Sequence, residues 1–338
     1  MSIIYDKPFT TVDEQVEILK SRNVIIEDEA YAKRLLTNIS YYTLVNGYKK
    51  PLLKGPDTFI DGTTIEMLYS IYLIDFDIHS VMLKNILYVE RQFKTHLSRV
   101  VCGPDHDRIW SDPNSSDITL NPSDYLYRGH YSNGNNRRQS TLSKLKSALM
   151  DCKSLTTTEY YKTTKNHVPP WILVNDIPLG LAINWYLILK SDDKDRICNL
   201  IFTNTNTLTD SEKRKFFSEL LNILRNFRNK IAHGNRTFSS QLPDALSFNY
   251  IYKLLDSTAL SAAEFNSGMG ERDFYAVVIS LAICISDSTQ YRSLGSDVLN
   301  IIRKYGTFDF AGKTVFDIFE IPKDIINRLQ NIYIRKNR

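Results

Sequence analysis

Residues 63–101 read TTIEMLYSIYLIDFDIHSVMLKNILYVERQFKTHLSRVV, and this stretch decides the fold class. Leu68, Ile71, Ile78, Met82, Ile86, Val89, Phe93, Leu97 and Val100 return at three- and four-residue steps. That is one face of an α-helix, where residues about one turn apart stack along the axis. Asp75 is the single polar residue on that face. Thr63-x-x-Glu66 has the form of a capping box, in which each side chain satisfies the other's free backbone N–H. The spacing predicts one uninterrupted helix running to about Val101.

Working outward, residues 12–22 and 27–38 read as short amphipathic helices, and Pro56, Asp57, Asp61 and Gly62 mark a loop. Periodicity vanishes from Gly103 to about Gln139, where Asn, Ser, Asp, Gly and Pro cluster. A loop this long is expected to be functional or disordered. Helical spacing resumes over Leu142–Leu149, and an apolar run from Trp171 to Leu189 is interrupted by Pro178 and Gly180. A second capping box, Thr209-x-x-Glu212, opens a helix whose apolar stripe is Phe216, Leu220, Leu224, Phe227 and Ile231. Gly234 stands where a glycine ends such a helix. Further helices are predicted near 245–256 and 273–287 and from Ile321. The expected class is all-α.

Composition agrees with a folded, helical chain. Hydrophobic residues make up 43% and charged residues 24%, and only 13 Gly and 11 Pro interrupt the 338 positions. The net charge of +4 permits a nucleic-acid partner without demanding one. Cys102, Cys152, Cys198 and Cys284 lie far apart, which argues for free thiols and against a zinc or redox motif. The N-terminus acquires acids where a signal peptide needs an apolar run, and Phe274–Ile285 is shorter than the roughly 20 residues of a membrane span. The expectation is a cytoplasmic protein with no membrane partner. No Walker loop, GxGxxG, HExxH or Gly-x-Ser-x-Gly occurs, which argues against nucleotide hydrolysis, dinucleotide chemistry, zinc proteolysis and esterase chemistry.

Chemistry concentrates in LRNFRNKIAHGNRTF, Leu224 to Phe238. On a continuous helix Arg225, Asn229 and His233 share a ridge, Arg228 projects beside Arg225, and Phe227 and Ile231 face the core. This set suits RNA cleavage with no metal or cofactor. The 2′-OH must lose a proton to attack phosphorus and the leaving 5′-oxygen must gain one, and histidine serves either step near neutrality. Arginine offers forked donors to the phosphate oxygens as charge builds. Asn229 holds the imidazole or the phosphate in register. The partial negative charge at a helix C-terminus favours His233 as a proton donor or phosphate stabiliser. The spacing alone also fits an exposed basic helix end capped by a histidine.

Arg228-Asn229 with Ala232-His233 and Arg236 resembles the RN-x-x-AH-x-x-R signature of abortive-infection (Abi) proteins of the AbiD and AbiF kind. Pro169-Pro170-Trp171 and the run through Gly180 resemble that family's P-x-W…G segment, and Tyr41-Tyr42…Gly47-Tyr48 its N-terminal part. The resemblance spans about residues 7–240. It implies an all-α, HEPN-like helical bundle with additional N- and C-terminal helices, its core over 1–240 including the loop insertion at 103–139 and a helical extension over 241–338. It also implies a ribonuclease site at Arg228, Asn229 and His233 completed across a homodimer, and a role in phage defence. It further implies, for some relatives, restraint by a small noncoding RNA antitoxin. A twofold pair would supply two copies of His233, one as base and one as acid. The rival reading is a non-catalytic HEPN module that binds RNA or a protein.

Further RNA contacts are expected at Arg225, Arg236, Arg137, Arg138 and Lys144. The last three belong to a basic stretch with Arg128, His130, Tyr131, Lys146 and Lys153, which also reads as a solvated loop and helix face. Glu90 and Lys94 read as a surface pair, with a supporting role at the site as the alternative. His79 and His96 read as ordinary surface or core histidines, and Arg335-Lys336-Asn337-Arg338 as a frayed end.

Overall fold

The computed structural model describes residues 8–115, 117–118, 120–133, 135–203, 206–239 and 241–336. The first helices are α1 (Val12–Ser21), α2 (Glu29–Ile39), α3 (Ile65–Val101), α4 (Asn135–Met150) and α5 (Thr157–Thr164). Next come α6 (Pro170–Asp176), α7 (Leu179–Ile188), α8 (Ser191–Ile201), α9 (Asp210–Ala232) and α10 (Phe248–Leu255). The chain finishes through α11 (Ala262–Asn266), α12 (Phe274–Cys284), α13 (Ser288–Tyr305), α14 (Val315–Phe319) and α15 (Ile325–Lys336). A π-helix turn covers Tyr42–Asn46, and the sheet content among the described residues is one antiparallel hairpin, Leu53–Gly55 with Thr58–Phe59. The fold is all-α, as its apolar periodicity predicts. No helix among the described residues is long and apolar enough to cross a membrane.

All nine apolar stripe residues of α3 are buried, and Asp75 beside them is wholly buried too. The cap sits one residue later than the sequence suggests. Thr64 Oγ1 accepts from Met67 N at 3.2 Å, while the buried Thr63 turns its hydroxyl back to Ile60 O at 2.7 Å. With methionine in the third helical position, no carboxylate reciprocates.

Two compact units divide the chain, neither of them a continuous stretch. The first gathers residues up to Met82, Lys230–Ser240 and Ser296–Lys323; the second holds Leu83–Asn229, Gln241–Gly295 and the chain from Asp324. Helices α3 and α9 contribute to both. In the first unit α1 lays Val16 and Leu19 against α2, which buries Ala32, Leu35 and Leu36. Phe238 meets Tyr48 at 5.9 Å and Phe319 at 5.1 Å. In the second unit Phe93, Tyr186 and Phe217 meet edge to face at 5.4–6.0 Å, an arrangement worth about 0.5–1.5 kcal/mol per pair beyond area burial.

The long loop is tied down at its aromatic residues. Tyr125 is fully buried with its hydroxyl on Val168 O at 2.9 Å, and the buried Tyr131 accepts from Trp185 Nε1 at 2.9 Å. Helix α4 begins at Asn135, earlier than the loss of periodicity suggests. Lys146 leaves the candidate basic surface, because it is buried and donates to Asp112 O at 2.7 Å. The chain end is not frayed as far as Lys336. Arg335 pairs with Asp256, and the buried Lys336 reaches the carbonyls of Ala282, Ile283 and Ile285 at the end of α12. Asn337 and Arg338 lie outside the described residues.

Candidate active site

Helix α9 starts as its sequence dictates: Thr209 N donates to Glu212 Oε2 at 2.9 Å, and Glu212 N returns to Thr209 Oγ1 at 3.3 Å. Its end is equally well defined. Gly234 N donates to Ile231 O at 3.0 Å and Asn235 N to Lys230 O at 3.2 Å, the paired bonds of a Schellman motif. Gly234 has φ +70°, a left-handed conformation that glycine adopts without steric cost. His233 is therefore the C-cap residue, outside the last helical turn and exposed to solvent. Asn229 remains on the helix, so the expected shared ridge stops one residue short of His233.

Within the first unit His233 lines a cleft of about 480 Å³ together with Lys230, Arg236, Tyr42 and Tyr48. The buried Asp75 ties the Tyr48 wall of this cleft to Thr237, the residue after Arg236. One carboxylate oxygen accepts from Tyr48 Oη at 2.9 Å, and the other accepts from Thr237 N at 3.1 Å. His79 Nε2 stands 3.4 Å from the same carboxylate. Burial holds the Tyr48 hydroxyl far above its ordinary range, so it stays a donor. Arg236 donates to Gly47 O at 2.7 Å and lies over the Phe238 ring, which commits much of its fork to the cleft wall. Lys230 Nζ reaches Thr237 O at 3.3 Å. Burial pulls the Lys230 ammonium down to about 8, with Arg236 adding to the fall and Asp75 and Glu320 opposing it.

Within the second unit Arg228 and Asn229 are brought together. Arg228 donates to the Asn229 amide oxygen at 3.2 Å and stands 3.7 Å from Glu90. Glu90 and Lys94 are not a surface pair: both are 7% exposed, 2.8 Å apart, and Lys94 also donates to Ile177 O at 2.8 Å. Here the interior packing around α3 overrides the one-turn spacing. Arg225 is turned to Asp244 at 3.7 Å and to Asn226 at 3.4 Å rather than to Asn229. On α4, Arg137 and Lys144 are exposed, and Arg138 donates to Ser132 O and Asn133.

The profile of the Abi-like protein family matches residues 34–239. The chain belongs to that family. Membership ties this Abi-like protein to abortive infection, a defence against phage. No curated protein and no solved structure matches the chain. The match contains the Arg228–Arg236 signature, the cleft and the 103–139 loop, and it stops before α10.

Sequence reasoning missed Lys230 and understated Asp75 and Glu90. Lys230 sits inside the signature at one of its unspecified positions, so nothing flagged it. Asp75 did carry a signal, since a lone acid in an apolar helical stripe must find buried donors.

Proposed function

We propose that this Abi-like protein is a metal-independent endoribonuclease with a HEPN-type core, acting in abortive infection. The observation that carries the reading is His233: an imidazole exposed at a helix C-cap, lining a cleft with two cations. The Arg228–Asn229 pair of the same signature supports it, because a guanidinium beside Glu90 and hydrogen-bonded to an amide is oriented before substrate arrives.

The 2′-oxygen attacks the adjacent phosphorus, the O2′–P bond forms and the P–O5′ bond breaks. The products are a 2′,3′-cyclic phosphate and a 5′-OH. His233 transfers a proton in this exchange, and in a homodimer the second copy of His233 supplies the complementary base or acid. Arg228 offers its donors to the phosphoryl oxygens, and Asn229 fixes the guanidinium plane. Arg225, Arg236, Arg137, Arg138 and Lys144 contribute positive potential for the RNA backbone. A small noncoding RNA that occupies the same surface would act as an antitoxin.

The test is cleavage of single-stranded RNA by purified protein in EDTA. His233→Ala abolishes cutting and leaves RNA binding intact, and a DNA analogue without the 2′-OH resists cleavage. Binding without products, unchanged in His233→Ala, would overturn the nuclease reading in favour of a binding module.

A further inference from the structure

Three tyrosines sit in the stretch Tyr41–Tyr48, and the first unit ties down two of them. Tyr41 accepts from Arg22 at 3.1 Å, and Tyr48 is buried on Asp75, edge to face with Tyr72 at 5.6 Å. Tyr42 is different. It opens the π-helix turn Tyr42–Asn46, is 77% exposed, and pairs with no other ring among the described residues. Single π turns are frequent at functional sites. This one places Tyr42 on the rim of the cleft that His233 and Lys230 also line.

The cleft thus offers an aromatic face at its rim, an ammonium and an imidazole. Its volume of about 480 Å³ falls within the range of sites for small organic ligands. We propose that it is the seat of one unpaired nucleotide of the RNA, with the base stacked on the Tyr42 ring and its phosphate drawn to Lys230. Base–aromatic stacking needs a base out of its helix, so the substrate class is single-stranded RNA and a continuous duplex is excluded. The specificity is for an accessible base face and not for one base, because every base presents such a face. This assignment rests on the ribonuclease reading for its biological sense but not for its measurement.

The experiment is fluorescence-anisotropy binding of a short single-stranded 2′-O-methyl oligoribonucleotide, which cannot be cut, alongside the same strand in a duplex. Tyr42→Ala is expected to weaken single-strand binding about ten- to a hundredfold, while Tyr42→Phe, which keeps the ring, stays within about twofold. Lys230→Gln weakens binding and lowers its salt dependence, as loss of one phosphate contact requires. Tyr42 is exposed, so its variants keep the fold, and circular dichroism checks this. Unchanged binding by Tyr42→Ala, or duplex bound as tightly as single strand, overturns the assignment. The two readings fail separately. Binding that needs the Tyr42 ring in a protein that cuts nothing refutes the nuclease alone. Cleavage that ignores Tyr42→Ala refutes the nucleotide seat alone.

Discussion

Replacing Asp75 by alanine tests how the cleft is held together. The carboxylate is wholly buried and is the acceptor for two buried donors, Tyr48 Oη and Thr237 N. Each donor left without a partner costs about 1–3 kcal/mol, so the two together cost about 2–6 kcal/mol. A domain has only about 5–15 kcal/mol of stability, so the loss is a large share of it. Urea unfolding followed by circular dichroism reads the cost as a lower midpoint at unchanged slope. Asp75→Asn keeps an acceptor for Thr237 and is expected to cost less. A double-mutant cycle with Tyr48→Phe should return a coupling of about 0.5–3 kcal/mol, because the two side chains share one hydrogen bond. RNA binding should fall in parallel, since the carboxylate links the Tyr48 wall to the segment that follows His233. A loss below about 1 kcal/mol for Asp75→Ala, or a cycle with no coupling, refutes this account of the cleft.

Two further outcomes are expected. Glu90→Gln removes the charge facing Arg228 and Lys94, and slackening the guanidinium should lower RNA cleavage about a hundredfold. Adding Lys94→Met recovers the stability lost with the buried ion pair but not the cleavage rate, which separates positioning from folding; recovery of both would contradict it. Raising the pH from 7 to 9 carries Lys230 through its value of about 8, so its positive charge is present below that point and lost above it. RNA affinity should therefore fall over this window at constant salt, and Lys230→Arg should flatten the dependence. An equal fall in Lys230→Arg would show that another group titrates.

Most of the helical architecture was legible in the residues, because burial on one side of a helix imposes a repeat that needs no knowledge of partners. The stripes of α3 and α9, the Thr209 cap and the stop at Gly234 were all readable for that reason. Helix α13 buries a similar stripe of Tyr291, Leu294, Val298 and Tyr305 and lies outside the helices predicted from spacing. The signature around Arg228 and His233 could likewise be read from the chain, since it lies within one short segment.

What neighbours do to a side chain could not be read. Glu90 and Lys94 have surface-pair spacing, yet packing against other elements buries them. Lys146 and Lys336 carry charges that sequence assigns to solvent, and only distant carbonyls explain their burial. The cleft unites residues 42–48 with residues 230–236, and the buried acid at position 75 ties Tyr48 to Thr237. Periodicity reports which face of a helix is apolar. It holds no information about which distant segment supplies the partner for a buried polar group, and that choice belongs to the tertiary structure.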